Sequence, residues 1–329
     1  MKTRKPPRFP PLDFARVKTY STKSRPSKVR LKDIGRPHRK GESFSKFLGS
    51  LPDILAARTL KAVVADIVRA ARTGRPVIVG MGAHPIKVGL NPILIDLMER
   101  GVVSCLAMNG AGIIHDLELA LVGKTSEEVE AGIDDGSFGM ARDTAELLNS
   151  AITYGAKQRL GLGQAVGELI CHGAFRYKNM SLLATASRLN IPATVHVAIG
   201  TDIIHMHPSA DGAAIGDTSL EDFKRLTAVV AHLEGGVYLN LGSAVLLPEI
   251  FLKAVTIARN LGHHLVDFTT VNMDFTQHYR PVTNVVRRPT QAGGHGYTLT
   301  GHHEIMFPLL AAGVIEALDR KSRTRSHTN

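Results

Sequence analysis

The stretch that decides the fold is RPVIVGMGAHPIKVGLNPILIDLMERGVVSCLAMNGAGIIHD, residues 75–116. It opens on a short β-branched run ending in small residues, Gly80-Met81-Gly82-Ala83, and so reads as a buried strand followed by a tight turn. NPILIDLMERG comes next, with Asn91 suited to an N-cap and Pro92 to the first helical position, which predicts a helix. VVSCLAM (102–108) reads as a second strand, Asn109-Gly110-Ala111-Gly112 as a second small-residue turn, and 113–121 as a second helix. Strand, turn and helix repeated in this way predict a parallel sheet, because parallel neighbours need a crossover connection between them.

Upstream, DILAARTLKAVVADIVRAAR (53–72) places Ile54, Leu55, Leu60, Val63, Val64, Ile67 and Val68 at helical spacing, with Gly74 after it. Downstream, the periodicity predicts long helices over 138–160 and 163–189, a strand over 193–200 and a helix over 219–234. A strand over 236–242, a helix over 248–261, a strand over 264–270 and a last helix over 303–319 complete the pattern. No internal repeat or low-complexity linker interrupts 50–320. One α/β domain over 46–320 is expected, doubly wound on a mostly parallel sheet, with a basic N-terminal arm over 1–45 and a basic tail over 321–329.

The 329 residues, 44% apolar and 21% charged, can bury a large core. Cys105 and Cys171 sit in apolar runs outside any CxxC pattern and read as core residues of a reducing compartment. No run approaches the roughly 18 apolar residues of a membrane helix, and MKTRKPPRFPPLDF lacks a signal-peptide core, so a cytoplasmic protein without a membrane partner is expected. The formal charge of +11 is concentrated at the start: residues 1–42 hold 14 Lys/Arg against Asp13, Asp33 and Glu42, which is 14 − 3 = +11. Such an arm has the charge to meet nucleic acid or an acidic protein. Its prolines and the absence of an interleaved aromatic pattern favour a solvated, partly disordered arm.

Three expected strands end in small residues: at Val79-Gly80-Met81-Gly82-Ala83, at Met108-Asn109-Gly110-Ala111-Gly112 and at Leu241-Gly242-Ser243-Ala244. Ligands of open α/β sheets bind beyond the carboxyl ends of strands, where bare backbone and helix N-termini approach phosphates. The three turns together point to a nucleotide, although GMGAHP departs from GxGxxG at Pro85. Lys87, in the first turn, suits a phosphate better than an imine. His205 and His207 would share one face of a strand, and His302-His303-Glu304 offers three donors at a turn. Neither set has the remaining ligands of a metal site, and none is assigned. No GxSxG elbow and no P-loop is present, which excludes the ordinary α/β hydrolase and P-loop NTPase patterns.

Residues 80–116 resemble, without gaps, the deoxyhypusine synthase segment of the form GYTSNxxSSG, helix, VTTAGGVEED. A second match follows the family's order through Asn190-Ile191-Pro192, residues 235–243, Ala258-Arg259-Asn260, Thr269-Thr270, Arg280-Pro281 and Phe307-Pro308-Leu309-Leu310. The resemblance implies a Rossmann-like fold that binds NAD, a homotetramer with sites at subunit interfaces, and an arm able to cover the site. Carried over by position, the dinucleotide contacts fall on Gly82, Ala83 and His84, on Asn109, Gly110 and Ala111, on His115, on Gly242 and Ser243, and on Thr270 and Val271. Asp202 stands for one of the family's two site aspartates, and the shorter sequence there leaves open which one.

The substrate side departs from that family. Counted from Arg280-Pro281 to Phe307-Pro308, the position of the imine-forming lysine holds Pro289, that of the tryptophan beside the polyamine Arg287, and that of an aspartate near the end of the site His302. The catalytic histidine falls near Pro248, Glu249 or Ile250 and is absent, and the glutamates after TAGG are Ile114 and His115. A proline cannot form the imine, and an arginine repels a polyamine cation. NAD-dependent dehydrogenation or transfer at an altered pocket is therefore expected rather than deoxyhypusine synthesis, with no catalytic residue assigned. Arg287 and Arg288 leave room for an anionic second substrate in place of a small amine. Asn109-Gly110-Ala111-Gly112 with His115-Asp116 also resembles the NALAxHD segment of the NAD-dependent ornithine cyclodeaminase domain, whose chemistry needs no protein lysine. A non-catalytic dinucleotide-binding regulatory module is the third reading.

Overall fold

The computed structural model describes residues 9–325, with side chains through Leu318. The first eight residues of the expected arm and the last four of the expected tail lie outside the described residues. Residues 9–43 are mostly exposed, with short 3-10 turns at Phe14–Arg16 and Leu31–Asp33. The chain then folds in the order α1 (Phe44–Ser50), α2 (Leu55–Arg72), β1 (Val77–Met81), α3 (His84–Lys87), α4 (Asn91–Glu99), β2 (Cys105–Asn109) and α5 (Gly110–Val122). It continues through α6 (Val129–Ile133), α7 (Arg142–Gln158), α8 (Leu162–His172), α9 (Leu182–Arg188), β3 (Ala193–His196) and α10 (Gly212–Val230). After β4 (Val237–Leu241) and α11 (Leu246–Asn260) come β5 (Thr269–Asp274), α12 (Tyr279–Pro281), a π-helical stretch Val282–Arg287, β6 (His295–Thr300) and α13 (His303–Arg325).

The six strands form one sheet in the order β3-β2-β1-β4-β5-β6, and every pair is parallel. This is the doubly wound, Rossmann-like arrangement, with the strand order reversing between β1 and β4. Alternate residues of each strand feed two cores. Val79, Leu106, Leu239 and Val271 join the core under α2, α4 and α13, while Ile78, Cys105, Tyr238 and Phe251 form the core under α10 and α11. The stripe Leu60, Val63, Val64, Ile67 and Val68 of α2 is buried as the 3.6 period requires.

Several boundaries differ from the sequence expectation for identifiable reasons. The single helix expected over 163–189 is broken into α8 and α9, because the buried Asp116 carboxylate caps α9. Its oxygens accept from Ser181 Oγ at 2.6 Å, Leu182 N at 2.8 Å and Leu183 N at 3.1 Å. Asn91 is no N-cap; its buried amide donates to Asp116 at 3.2 Å and to the Met180 carbonyl at 2.8 Å, tying α4 to the same capping point. The expected strand 264–270 lies later, at Thr269–Asp274, and β6 was not anticipated. α13 runs to Arg325, into the stretch expected to be tail. No helix among the described residues is long and apolar enough to cross a membrane.

Candidate functional site

The turns after β1 and β4 meet at the point where the strand order reverses. Gly82 N donates to Leu241 O at 3.2 Å and Gly242 N to Met273 O at 3.1 Å, so the ladder is carried past the last residue of each strand. A Cβ on Gly82 would lie 2.7 Å from the Gly242 carbonyl oxygen, so only glycine lets the two backbones approach this closely. Gly242 itself adopts φ 65°, the left-handed region open to glycine. Ser243 Oγ accepts from Leu247 N at 3.2 Å and fastens the turn to α11, while Asn240 donates to the Ser243 carbonyl at 2.9 Å. Ala83 precedes the short α3, and His84 projects exposed beside it.

An aromatic and imidazole group walls this edge. Phe275, just after β5, lies 6.0 Å from the His84 ring, 6.1 Å from His303 and 6.0 Å from His302, on which it stacks. His303 is 1% exposed and donates from Nε2 to the Met273 carbonyl at 3.2 Å. Burial lowers its pKa, against the raising effect of that carbonyl and of Asp274. Its Nδ1 is buried without a partner.

Beyond the second turn lies a cleft of about 190 Å³ lined by Lys87, His115, Glu118, Glu127, Asp202 and the Ala111 backbone among others. Asn109 ends β2 and caps α5, its Oδ1 accepting from Gly112 N at 3.1 Å. Gly110 opens the helix because Asp202 stands directly over it: a Cβ there would lie 2.0 Å from Asp202 Oδ2. Burial raises the Asp202 carboxyl to about 6, against the lowering effects of the Thr201 hydroxyl and the Ala111 N–H. Its Oδ2 has no hydrogen-bond partner. His205 Nδ1 accepts from Gly200 N at 3.2 Å and Asp202 N at 3.4 Å, which leaves its proton on Nε2, 3.9 Å from that oxygen.

His115 contacts Thr125 Oγ1 through Nδ1 at 2.6 Å, and Thr125 donates to Glu118. Burial and the nearby Lys87 lower His115 to about 4, so the imidazole is neutral at physiological pH. Its neighbour Asp116 points the other way, into the cap of α9, and is fully buried. Another buried carboxylate, Asp222, is raised to about 7 chiefly by burial; it accepts from Gly163 N at 2.8 Å and Val195 N at 2.7 Å and ties α8 to β3. Its partners are backbone amides of α8 and β3 and it does not line the cleft, so its role is structural. A larger hollow of about 410 Å³ sits at the opposite, amino edge of the sheet, beside Pro192 and Ala228.

Of the residues expected at a ligand, the structure gathers Gly82, Ala83, His84, Gly242 and Ser243 at one turn pair, and Asn109, Gly110, Ala111, His115 and Asp202 at the adjoining cleft. Lys87 reaches from the first group into the second. Thr270 and Val271 are corrected: they are the second and third residues of β5 and fully buried between β4 and β6. The carboxyl end of that strand carries Asp274 and Phe275 instead. His205 and His207 share no strand, since β3 ends at His196 and both lie in or after a 3-10 turn. Pro289 is buried at the amino edge, where its carbonyl and that of Leu265 accept from Arg259 at 2.7 Å and 2.8 Å. Arg287 and Arg288 precede it on the helix leading there, so neither charges the cleft. Glu118, Thr125, Glu127 and Phe275 were not anticipated; Glu118, three residues after His115, shares its helical face and was the readable signal.

The donors and acceptors fit a dinucleotide. The turn backbone carries no side chain at Gly82 and Gly242, Lys87 supplies a cation, and Asp202 brings a buried carboxylate oxygen without a partner to the cleft wall. Neither a family model nor a curated protein sequence matches the chain. Among solved structures it is similar to AgrE in ternary complex with ornithine and NAD+, with 16% identity, TM-score 0.52, and 81% of this chain and 34% of that chain covered. It is also similar to ArgZ, an arginine dihydrolase from the ornithine–ammonia cycle in cyanobacteria, at 17% identity, TM-score 0.50 and coverage of 80% and 33%. A candidate deoxyhypusine synthase from Entamoeba histolytica aligns at 12% identity and TM-score 0.47 over 86% of this chain and 97% of that chain. The chain spans about a third of the length of AgrE and ArgZ. At such identities the likeness to AgrE and ArgZ is one of fold: a doubly wound, parallel α/β sheet of the Rossmann type.

Proposed function

We propose that the chain binds an NAD-type dinucleotide across the carboxyl edge of its sheet and serves the oxidation of a small amine, without making deoxyhypusine. The observation that carries this reading is the convergence of the Gly82 and Gly242 turns with an acceptor-lined cleft holding Lys87 and the partnerless Asp202 oxygen. NAD+ at this edge would supply the hydride acceptor. The Ala83 and Ser243 backbone, just beyond the Gly82 and Gly242 amides that are paired in the ladder, would receive its diphosphate, with Lys87 neutralising charge. An alkylammonium must lose a proton before its carbon can give up hydride. Asp202, ionised above about pH 6 and lining the cleft, would bind the cation and draw that proton.

Transfer through a protein lysine finds no support, since no lysine occurs between Lys253 and Lys321 and the counted position, Pro289, lies at the amino edge. A cyclodeaminase-type reaction on a diamino acid is the second reading. It is supported by Lys87 facing Asp202 and Glu127 in one cleft, a match for a carboxylate and an ammonium, and by the AgrE fold seen with ornithine and NAD+. It needs no lysine imine. The test is to incubate the purified chain with NAD+ and either ornithine, putrescine or spermidine, and follow NADH, ammonia and cyclic products. Turnover of one amine without modification of a lysine-bearing acceptor protein supports the proposal. Deoxyhypusine formation overturns it.

A further inference from the structure

Glu118, Thr125 and His115 form a single hydrogen-bonded chain along one wall of the cleft. Thr125 has one hydroxyl proton, and its geometry gives that proton to Glu118 Oε2. Glu118 Oε1 accepts from Thr144 Oγ1 at 3.2 Å, so both oxygens of the carboxylate act as acceptors. The 2.6 Å contact between Thr125 Oγ1 and His115 Nδ1 must then carry the imidazole's own proton. That leaves Nε2 with a lone pair. It makes no hydrogen bond among the described residues, although His115 lines the cleft together with Lys87, Glu127 and Asp202.

We propose that Glu118 and Thr125 are positioning residues that lock His115 as its Nδ1–H tautomer, making Nε2 the acceptor for an O–H or N–H donor of the bound ligand. This rests on reading the cleft as a dinucleotide and amine site. The donor is either a ribose hydroxyl of the dinucleotide or the nitrogen of the amine, and the shared chemistry is a donor meeting a fixed lone pair. Asp202 lines the same cleft, so a donor held by His115 Nε2 lies beside a second acidic group.

Nitrogen NMR of the full chain with labelled imidazoles reads the tautomer directly, with His115→Asn identifying the signal. His115 is expected as Nδ1–H in the wild type and in Thr125→Ser, and shifted toward Nε2–H in Thr125→Val. Calorimetric titrations with NAD+ and with ornithine separate the two sources of donor. Thr125→Val should weaken by about tenfold whichever ligand uses Nε2, and Thr125→Ser should restore it. An Nε2–H wild type overturns the proposal, as does a Thr125→Val variant with unchanged tautomer and affinities. A wild type locked as Nδ1–H that binds neither ligand supports the lock and overturns the functional reading, so the two failures are distinguishable.

Discussion

Asp202 and Asp116 are both buried carboxylates beside α5, and their partners assign them opposite tasks. Asp116 accepts from Ser181, Leu182, Leu183 and Asn91, so Asp116→Ala strands several donors and releases Ser181, the N-cap of α9. A loss of about 3 kcal/mol is expected, measured by urea unfolding. Asp202 is under-satisfied, and burial raises its folded pKa to about 6 from an ordinary value of 3.8. The folded state therefore holds a proton that the unfolded state has released between about pH 4 and pH 6. Stability from this group is complete below that window and is lost as pH rises through it, on the order of 2–3 kcal/mol in total. Asp202→Asn should abolish the slope and make the protein more stable at neutral pH while weakening ligand binding. Equal stability of the two proteins across pH 4–8 would contradict this account.

Close backbone contact of the β1 and β4 turns gives Gly82 its importance at the scale of elements. Gly82→Ala must push the Gly242 turn away, at a cost of about 2 kcal/mol in urea unfolding, and should impair dinucleotide binding more than it impairs folding. The sequence announced this region well: the strand-turn-helix units around Gly82 and Asn109 and the β4 turn all lie where their periodicity placed them. It misplaced β5 by several residues because HLVDFTT (264–270) satisfies the strand pattern, yet Leu265 and Phe268 fill the core before the strand begins. Thr270 and Val271, carried over by the resemblance alone, lie inside that strand and do not reach its carboxyl edge. β6, HGYTLT, is a mostly exposed edge strand with little apolar signal to betray it. The break between α8 and α9 depends on Asp116, 65 residues earlier than Ser181, and no local pattern reports a cap from so far away.

For the molecule as a whole, the order β3-β2-β1-β4-β5-β6 turns scattered glycine turns into one edge. Asp202 reaches the cleft from the loop after β3 with His205 behind it, while Glu118 and Glu127 reach it from α5 and the loop beyond. Of the positions carried over from the lysine-dependent synthase, those at the glycine turns lie at the carboxyl edge, while Pro289 and Arg287 lie toward the opposite end of the sheet. A dinucleotide site at the carboxyl edge is tested by titration calorimetry of NAD+ into the full chain, run beside Gly82→Ala and Asp202→Asn. Saturable binding at one site per chain, weakened about tenfold or more in both variants while circular dichroism stays native, is the predicted result. Absence of saturable binding to the folded wild type, or binding unchanged in both variants, would contradict it.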